Sequence, residues 1–390
     1  MKVVEVKSDQ QARVFLKFPV RLYRNDPNYI RPLNKDIEQV FSVRQNKYFK
    51  HGACTRWILL DDNRQPIGRI AAFINFKTAN TFDQPTGGTG FFECINDRKA
   101  AHLLFDTAKA WLTEHKMEAM DGPINFGERD RWWGLLVEGF TPPTYGMNYN
   151  FPYYQDLFES YGWKVFYRQF SFARKIKEGG LDPKILEKAN KIKENTKYSF
   201  RHIDRENLEK YAADFRIVFN KAWAKHLGVK PMSEEQAMSI LNKMKPVLDE
   251  QLVWFGYYED QPIAFYINLP ELNQIFRYVN GKLNWLGKLK FLYHKKMKTV
   301  RKVFGVSFGV IPEHQGKGVE GALMDAFSTV AWTDKFQYVD LEMTWIGDFN
   351  PKMIHICETL GAEKVKTLHT YRKLFDESIP FKRAPVMEYK

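Results

Sequence analysis

A chain of 390 residues exceeds one ordinary domain and suits two of about 150–200 residues. With 44% hydrophobic and 15% aromatic residues it can fill two cores, which excludes a disordered or low-complexity chain. The net charge of +13 points to anionic partners: nucleic acid, an anionic membrane, or anionic small molecules. The three cysteines (Cys54, Cys94, Cys357) are odd in number and far apart, which argues against a disulfide framework or a metal knuckle. Met1–Lys7 lacks the apolar core of a signal peptide, and no run reaches the roughly 18 apolar residues of a membrane span. The expectation is a cytoplasmic protein that is not integral to a membrane.

In chain order, the two halves repeat each other. Trp57-Ile58-Leu59-Leu60 leads through an acidic turn into Gln65-Pro66-Ile67, and Trp254-Phe255-Gly256-Tyr257 does the same into Gln261-Pro262-Ile263. Asn150 through Gly162 and Val165 parallels Asn350 through Gly361 and Val365: a helix opened by Asn, a glycine stop, then a strand. The helix ending at Trp111 matches the one ending at Trp332, with the basic, aromatic segment 282–302 as an insertion in the second half and 129–145 as one in the first. The predicted organisation is a first domain over 1–176, a connection over 177–197 bearing Gly179-Gly180, and a second domain over 198–390.

The second half reads in detail. A strand at Tyr198–Arg201 precedes helices over Leu208–Lys225 and Ser233–Leu248, then strands Leu252–Tyr258 and Pro262–Leu269. Val303–Val310 is a buried strand rich in β-branched and aromatic residues, and Val319, Leu323, Phe327 and Val330 recur at helical spacing after it. Strand Tyr338–Trp345, helix Pro351–Leu360 and strand Lys364–Leu374 close the chain; Asn350 before Pro351 is a strong helix start. Between the Val303–Val310 strand and its helix, Gly316, Gly318 and Gly321 turn the backbone and leave amides bare at a positive dipole end, an anion site suited to phosphate.

The run Val310-Ile311-Pro312-Glu313-His314-Gln315-Gly316-Lys317-Gly318 resembles the acyl-coenzyme A loop of the GNAT (general N-acetyltransferase) superfamily. Phe18-Pro19, Arg21-Leu22-Tyr23-Arg24, Asp26-Pro27 and Asn280-Gly281 further resemble a group of bacterial tandem GNAT-like proteins of this length. The resemblance implies an α/β (α+β) fold of two GNAT-like domains, each a mixed, mostly antiparallel sheet flanked by helices. It implies N-acyl transfer, acetyl in the first instance, from acetyl-coenzyme A or another acyl-coenzyme A to a small-molecule or peptide amine, with no metal. Phe308, Val310, Gln315, Gly316, Lys317, Gly318, Val319, Glu320, Gly321 and Asn350 would hold the donor. The family pattern carries a small residue where Glu320 stands; the expectation is that its carboxylate faces solvent.

In the first half, Gly90 through Lys99 offers no glycine turn after the strand, so that copy is read as structural or acceptor-binding. On Val339–Trp345, alternation places Asp340, Glu342 and Thr344 on one face, which makes Glu342 the candidate base or acceptor anchor; the competing reading pairs it with a nearby Lys or Arg. Family members often carry a Tyr seven residues after the Asn; here that position is Cys357, a candidate thiol acid or a small core residue. His226, His314 and His355 show no metal spacing. Acceptor specificity is expected near Trp223 and in the cleft between the halves. Segment 282–302 mixes lysines with aromatics: either an anionic-surface contact, with nucleic acid the less favoured partner, or a helix whose aromatic side packs on the body. Two rival functions stay open: an aminoacyl- or long-acyl-transferase of related tandem architecture, and a non-catalytic coenzyme A-binding protein.

Overall fold

The computed structural model describes residues 1–178, 182–223 and 231–387. The first half runs β1 (Lys2–Glu5), α1 (Asp9–Leu22), α2 (Asn34–Val40), β2 (Gly52–Leu60), β3 (Pro66–Asn75), β4 (Thr86–Cys94), α3 (Arg98–Glu114), β5 (Ala119–Gly122), β6 (Leu135–Glu138), α4 (Tyr154–Ser160) and β7 (Lys164–Lys175). After α5 (Pro183–Glu194), the second half runs β8 (Tyr198–His202), α6 (Leu208–Trp223), α7 (Glu234–Met244), β9 (Val253–Tyr258), β10 (Gln261–Pro270), α8 (Asn273–Val279) and α9 (Trp285–Lys296). It ends with β11 (Lys302–Val310), α10 (Val319–Ala331), β12 (Asp340–Gly347), α11 (Pro351–Thr359) and β13 (Glu363–Leu374). Gly179-Gly180, His226 and the segment after Trp223 lie outside the described residues.

Local chemistry sets the boundaries. Ser8 and Gln11 form a reciprocal capping box on α1, and Ser233 with Gln236 does the same on α7. Asn350 accepts from the Met353 amide and Pro351 follows at the first helical position, so α11 begins where the sequence predicts. Asn150, its match in the repeat, does not cap; its side chain bonds both the amide and the carbonyl of Leu136 instead.

All thirteen strands join one sheet, in the order β1-β2-β3-β4-β5-β13-β7-β12-β11-β10-β9-β8, with β6 pairing on β13. The halves exchange their last strands. β13, from the chain's end, lies between β5 and β7 of the first half and also pairs with β6, and β7 lies against β12 of the second. β7 and β13 pair with each other along most of their length, so the halves share a seam of twelve-residue strands.

In the second half, α6 and α10 cover opposite faces. Phe265 meets Phe215 of α6, while its neighbour Tyr266 meets Phe327 of α10, as strand alternation requires. α5 packs on α10, with Ile185 and Ala189 against Gly321.

Candidate active site

The site begins where two parallel strands part. β11 and β12 pair from Lys302/Asp340 to Gly305/Met343, and the ladder stops there. On its other edge β11 pairs with β10, but the register slips so that Val306 has no opposite residue, a bulge beside the point of divergence. Before the bulge, strand alternation puts Phe304 and Lys302 with Glu342 on one side and Gly305 with Met343 on the other. Past the bulge, Phe308 is half-buried against Tyr266 and Val310 is buried.

The turn that follows meets the geometric demands of an anion cradle. Gly316 and Gly318 take positive φ values of 72° and 103°. Gly318 is the N-cap of α10 and offers no side-chain cap, and Val319 through Gly321 open the helix. A Cβ on Gly318 would lie 2.8 Å from the Lys188 carbonyl oxygen of α5, so glycine is required there twice over. Lys317 is exposed. Gln315 folds inward: its Nε2 donates to the Val310 carbonyl at 2.9 Å, and its Oε1 accepts from Lys352 at 3.1 Å, which ties the turn to α11. Asn350 caps that helix.

Glu320 does not face solvent as expected. It is half-buried, and its Oε1 accepts from the Gly316 amide at 3.3 Å. A carboxylate already held by a loop amide marks that amide as an anion donor; a bound diphosphate would take its place. The residues thus fit the phosphate end of an acyl-coenzyme A once Glu320 swings away. The first copy lacks this option. α3 opens at Arg98 with Asp97 accepting from Ala100, so a built-in carboxylate caps the corresponding helix.

Of the two readings open for each, the geometry matches a paired carboxylate at Glu342 and a core position at Cys357. Glu342 is 2% exposed, with Lys366 at 2.5 Å on one oxygen and Lys302 at 2.7 Å on the other. Burial would raise its carboxyl, but the two lysines outweigh burial and hold it below the ordinary glutamate value. A carboxylate paired twice is an anchor for lysines rather than a proton acceptor. Cys357 is fully buried with its Sγ 4.0 Å from Met343 Sδ, and burial pushes its thiol up to about 12. It is a core residue.

Sequence reasoning missed Glu271. It follows β10 and is 3% exposed, and its Oε1 accepts both the Asn273 amide at 2.9 Å and the Tyr145 amide at 2.8 Å. Its own amide donates to the Lys302 carbonyl, which places it next to the Lys302–Glu342 pair. Burial raises its carboxyl to about 7, against the two amides and Lys302. No local pattern announces it, since Tyr145 is 126 residues away.

Two cavities adjoin this centre. One of about 70 Å³ lies within the first half, lined by its residues and by Asn273 of the second, with Tyr145 and Asn273, both bonded to Glu271, in its wall. Arg31 and Asp36 line it too, and Arg31 Nε is buried with no partner among the described residues. The other, about 220 Å³ and mostly apolar, lies under α10 and is lined by Tyr266, Met324, Phe327, Leu341, Met343 and Leu360. Met343 belongs both to this cavity and to the last pair before β11 and β12 diverge. Among the described residues no cluster of three or more His, Cys, Asp or Glu could hold a metal, and no helix is long and apolar enough to cross a membrane.

A bulged strand beside a parallel pair that stops short occurs in both halves, whereas among the described residues the glycine turn without a side-chain cap follows β11, and a solved tandem GNAT structure shares this fold. A tandem GNAT protein from the clavulanic acid biosynthesis pathway superposes with a TM-score of 0.54 over 97% of this chain and 99% of that one, at 10% identity. The fold is that of the GNAT acyltransferases. Among curated sequences, the bacterial ceramide synthase of Caulobacter vibrioides is 27% identical over 383 residues, covering 96% of this chain and 97% of that protein. Protein YghO of Escherichia coli is 28% identical over 371 residues, covering 94% and 93%. No family model matches the chain.

Proposed function

We propose that this protein transfers a long acyl group from an acyl-coenzyme A thioester to the primary amine of a long-chain amino alcohol. The thioester carbonyl is placed where β11 and β12 part, with its diphosphate on the Gly316–Val319 amides and its acyl chain under α10. Glu271 is the general base. Its Oε1 is occupied by two amides, and Oε2 takes the ammonium proton. The amine nitrogen then attacks the carbonyl carbon and the C–S bond breaks, the nitrogen's second proton passing through water to the departing thiolate. The 70 Å³ cavity receives the polar head of the acceptor, facing Asp36 and Tyr145.

The observation that carries the long-chain reading is the apolar cavity of about 220 Å³ that starts at Met343, beside the reacting centre. An acetyl group would leave it unused. The relative named a bacterial ceramide synthase supports the same choice, because a ceramide is the amide of a fatty acid and a long-chain amino alcohol. The test is release of free coenzyme A thiol across acyl chains from acetyl to palmitoyl, with a long-chain amino alcohol or a short amine as acceptor. The expected result is turnover that rises with chain length and an N-acyl product by mass spectrometry. Faster turnover of acetyl-coenzyme A on a short amine would refute it, as would thioester binding without amide formation.

A further inference from the structure

Helix α9 is built with its apolar side turned outward. Trp285, Leu286, Leu289, Leu292, Tyr293 and Met297 are exposed, Trp285 by 68% and Leu292 by 59%. At about 100° per residue these six fall within an arc of about 140°. The opposite side, with Gly287, Phe291 and His294, faces the body. An ordinary surface helix has the reverse arrangement, with its apolar stripe on the core.

The orientation is fixed by packing. The Phe291 ring lies 5.9 Å from Phe276, and the His294 imidazole stacks on Tyr278 at 4.0 Å while its Nδ1 sits 3.1 Å from Thr299 Oγ1. Gly287 allows close approach: a Cβ there would fall 2.0 Å from the Lys282 carbonyl oxygen. The helix therefore cannot roll its leucines inward. Of the two readings of 282–302, packing of its aromatic side on the body holds for Phe291, while Trp285 and Tyr293 are exposed.

Charge identifies the partner. Segment 282–302 carries eight Lys or Arg and no Asp or Glu. Around the helix, Lys288 and Lys295 border one side of the apolar arc and Lys290 the other, while Lys296 projects within it. We infer that α9 lies in the interface of an anionic lipid bilayer, its leucines and Trp285 among the acyl chains and its lysines at the phosphate level. Three leucines and a methionine have no use against a nucleic-acid backbone, which wants stacking rings and cations. The inference rests on this helix alone and stands whether or not the acyl-transfer reading holds.

The experiment is co-sedimentation of the full chain with vesicles of phosphatidylcholine alone and with one-third phosphatidylglycerol. Binding to the anionic vesicles, weaker with added salt and several-fold lower on neutral vesicles, is expected. The double variant Leu289→Asp/Leu292→Asp should lose about tenfold or more in binding with an unchanged melting temperature, since both side chains face solvent. Lys288→Gln/Lys296→Gln should retain only the weak binding seen on neutral vesicles. Wild-type binding by the double aspartate variant would overturn the inference. So would binding to a homopolymeric RNA but not to vesicles, or a concentration-dependent dimer that the aspartates dissociate.

Discussion

Glu271→Gln is the most exacting test of the site, because it changes one proton and very little structure. Gln keeps a side-chain oxygen for the Tyr145 and Asn273 amides but cannot take the ammonium proton. If Glu271 is the base, kcat should fall by about 10²–10⁴-fold. In the parent protein kcat/KM should rise with pH to a plateau above about 7, where the carboxylate forms. In the variant that inflection should vanish. Stability supplies an independent readout. Burial raises the folded carboxyl from the ordinary 4.5 to about 7, so the folded state holds an extra proton between those limits. The stability it contributes is fully present below 4.5 and is lost as pH rises through about 7. At about 1.4 kcal/mol per pH unit, the parent loses about 3 kcal/mol relative to Glu271→Gln over that window. Urea unfolding at pH 5 and pH 8 measures this difference directly. A variant within about threefold of parental kcat that keeps its pH inflection would remove Glu271 from the mechanism.

Three further outcomes follow from the same geometry. Glu342→Gln strands two lysines, one of them buried, and should cost about 3–5 kcal/mol in urea unfolding; Glu342→Met/Lys366→Met should recover most of it, because Lys302 is a quarter exposed and can turn to water. A fully stable single variant would show that the pair carries no load. Glu320→Ala frees the Gly316 amide, so coenzyme A affinity by calorimetry should increase several-fold, and a drop would mean that Glu320 helps bind rather than compete. Cys357→Ala should destabilise by about 1 kcal/mol and leave kcat within twofold, whereas a loss of a hundredfold would restore the thiol as an acid.

The elements of the second half were legible because each carries a local signal: Asn350-Pro351 opens α11, the period of Val319, Leu323 and Phe327 gives α10, and Gly316 and Gly318 mark the turn. The exchange of β7 and β13 was not. Both strands have the alternation of a sheet interior, and which neighbour each takes is decided by tertiary packing. Glu342 was picked from its polar face, but its pairing depends on Lys366, which only the exchanged strand brings near. Segment 282–302 shows the same limit. Its sequence permits a packing side through Phe291 and His294 or through the leucines, and the usual rule chooses the larger apolar stripe, which the structure turns outward.

The exchange also ties the first half to the charged centre of the second. The charged centre is composite: Lys302 and Glu342 come from β11 and β12, and Lys366 reaches Glu342 from β13 across the intervening β7. Glu271 is oriented on one side by its own helix start at Asn273 and on the other by Tyr145, from the insertion of the first half. Burial raises Glu271, while the Tyr145 amide, as a hydrogen-bond donor, pulls the other way and fixes its orientation. Under the proposed mechanism the first half would act on the chemistry by positioning Glu271 through Tyr145, which requires no ligand loop of its own.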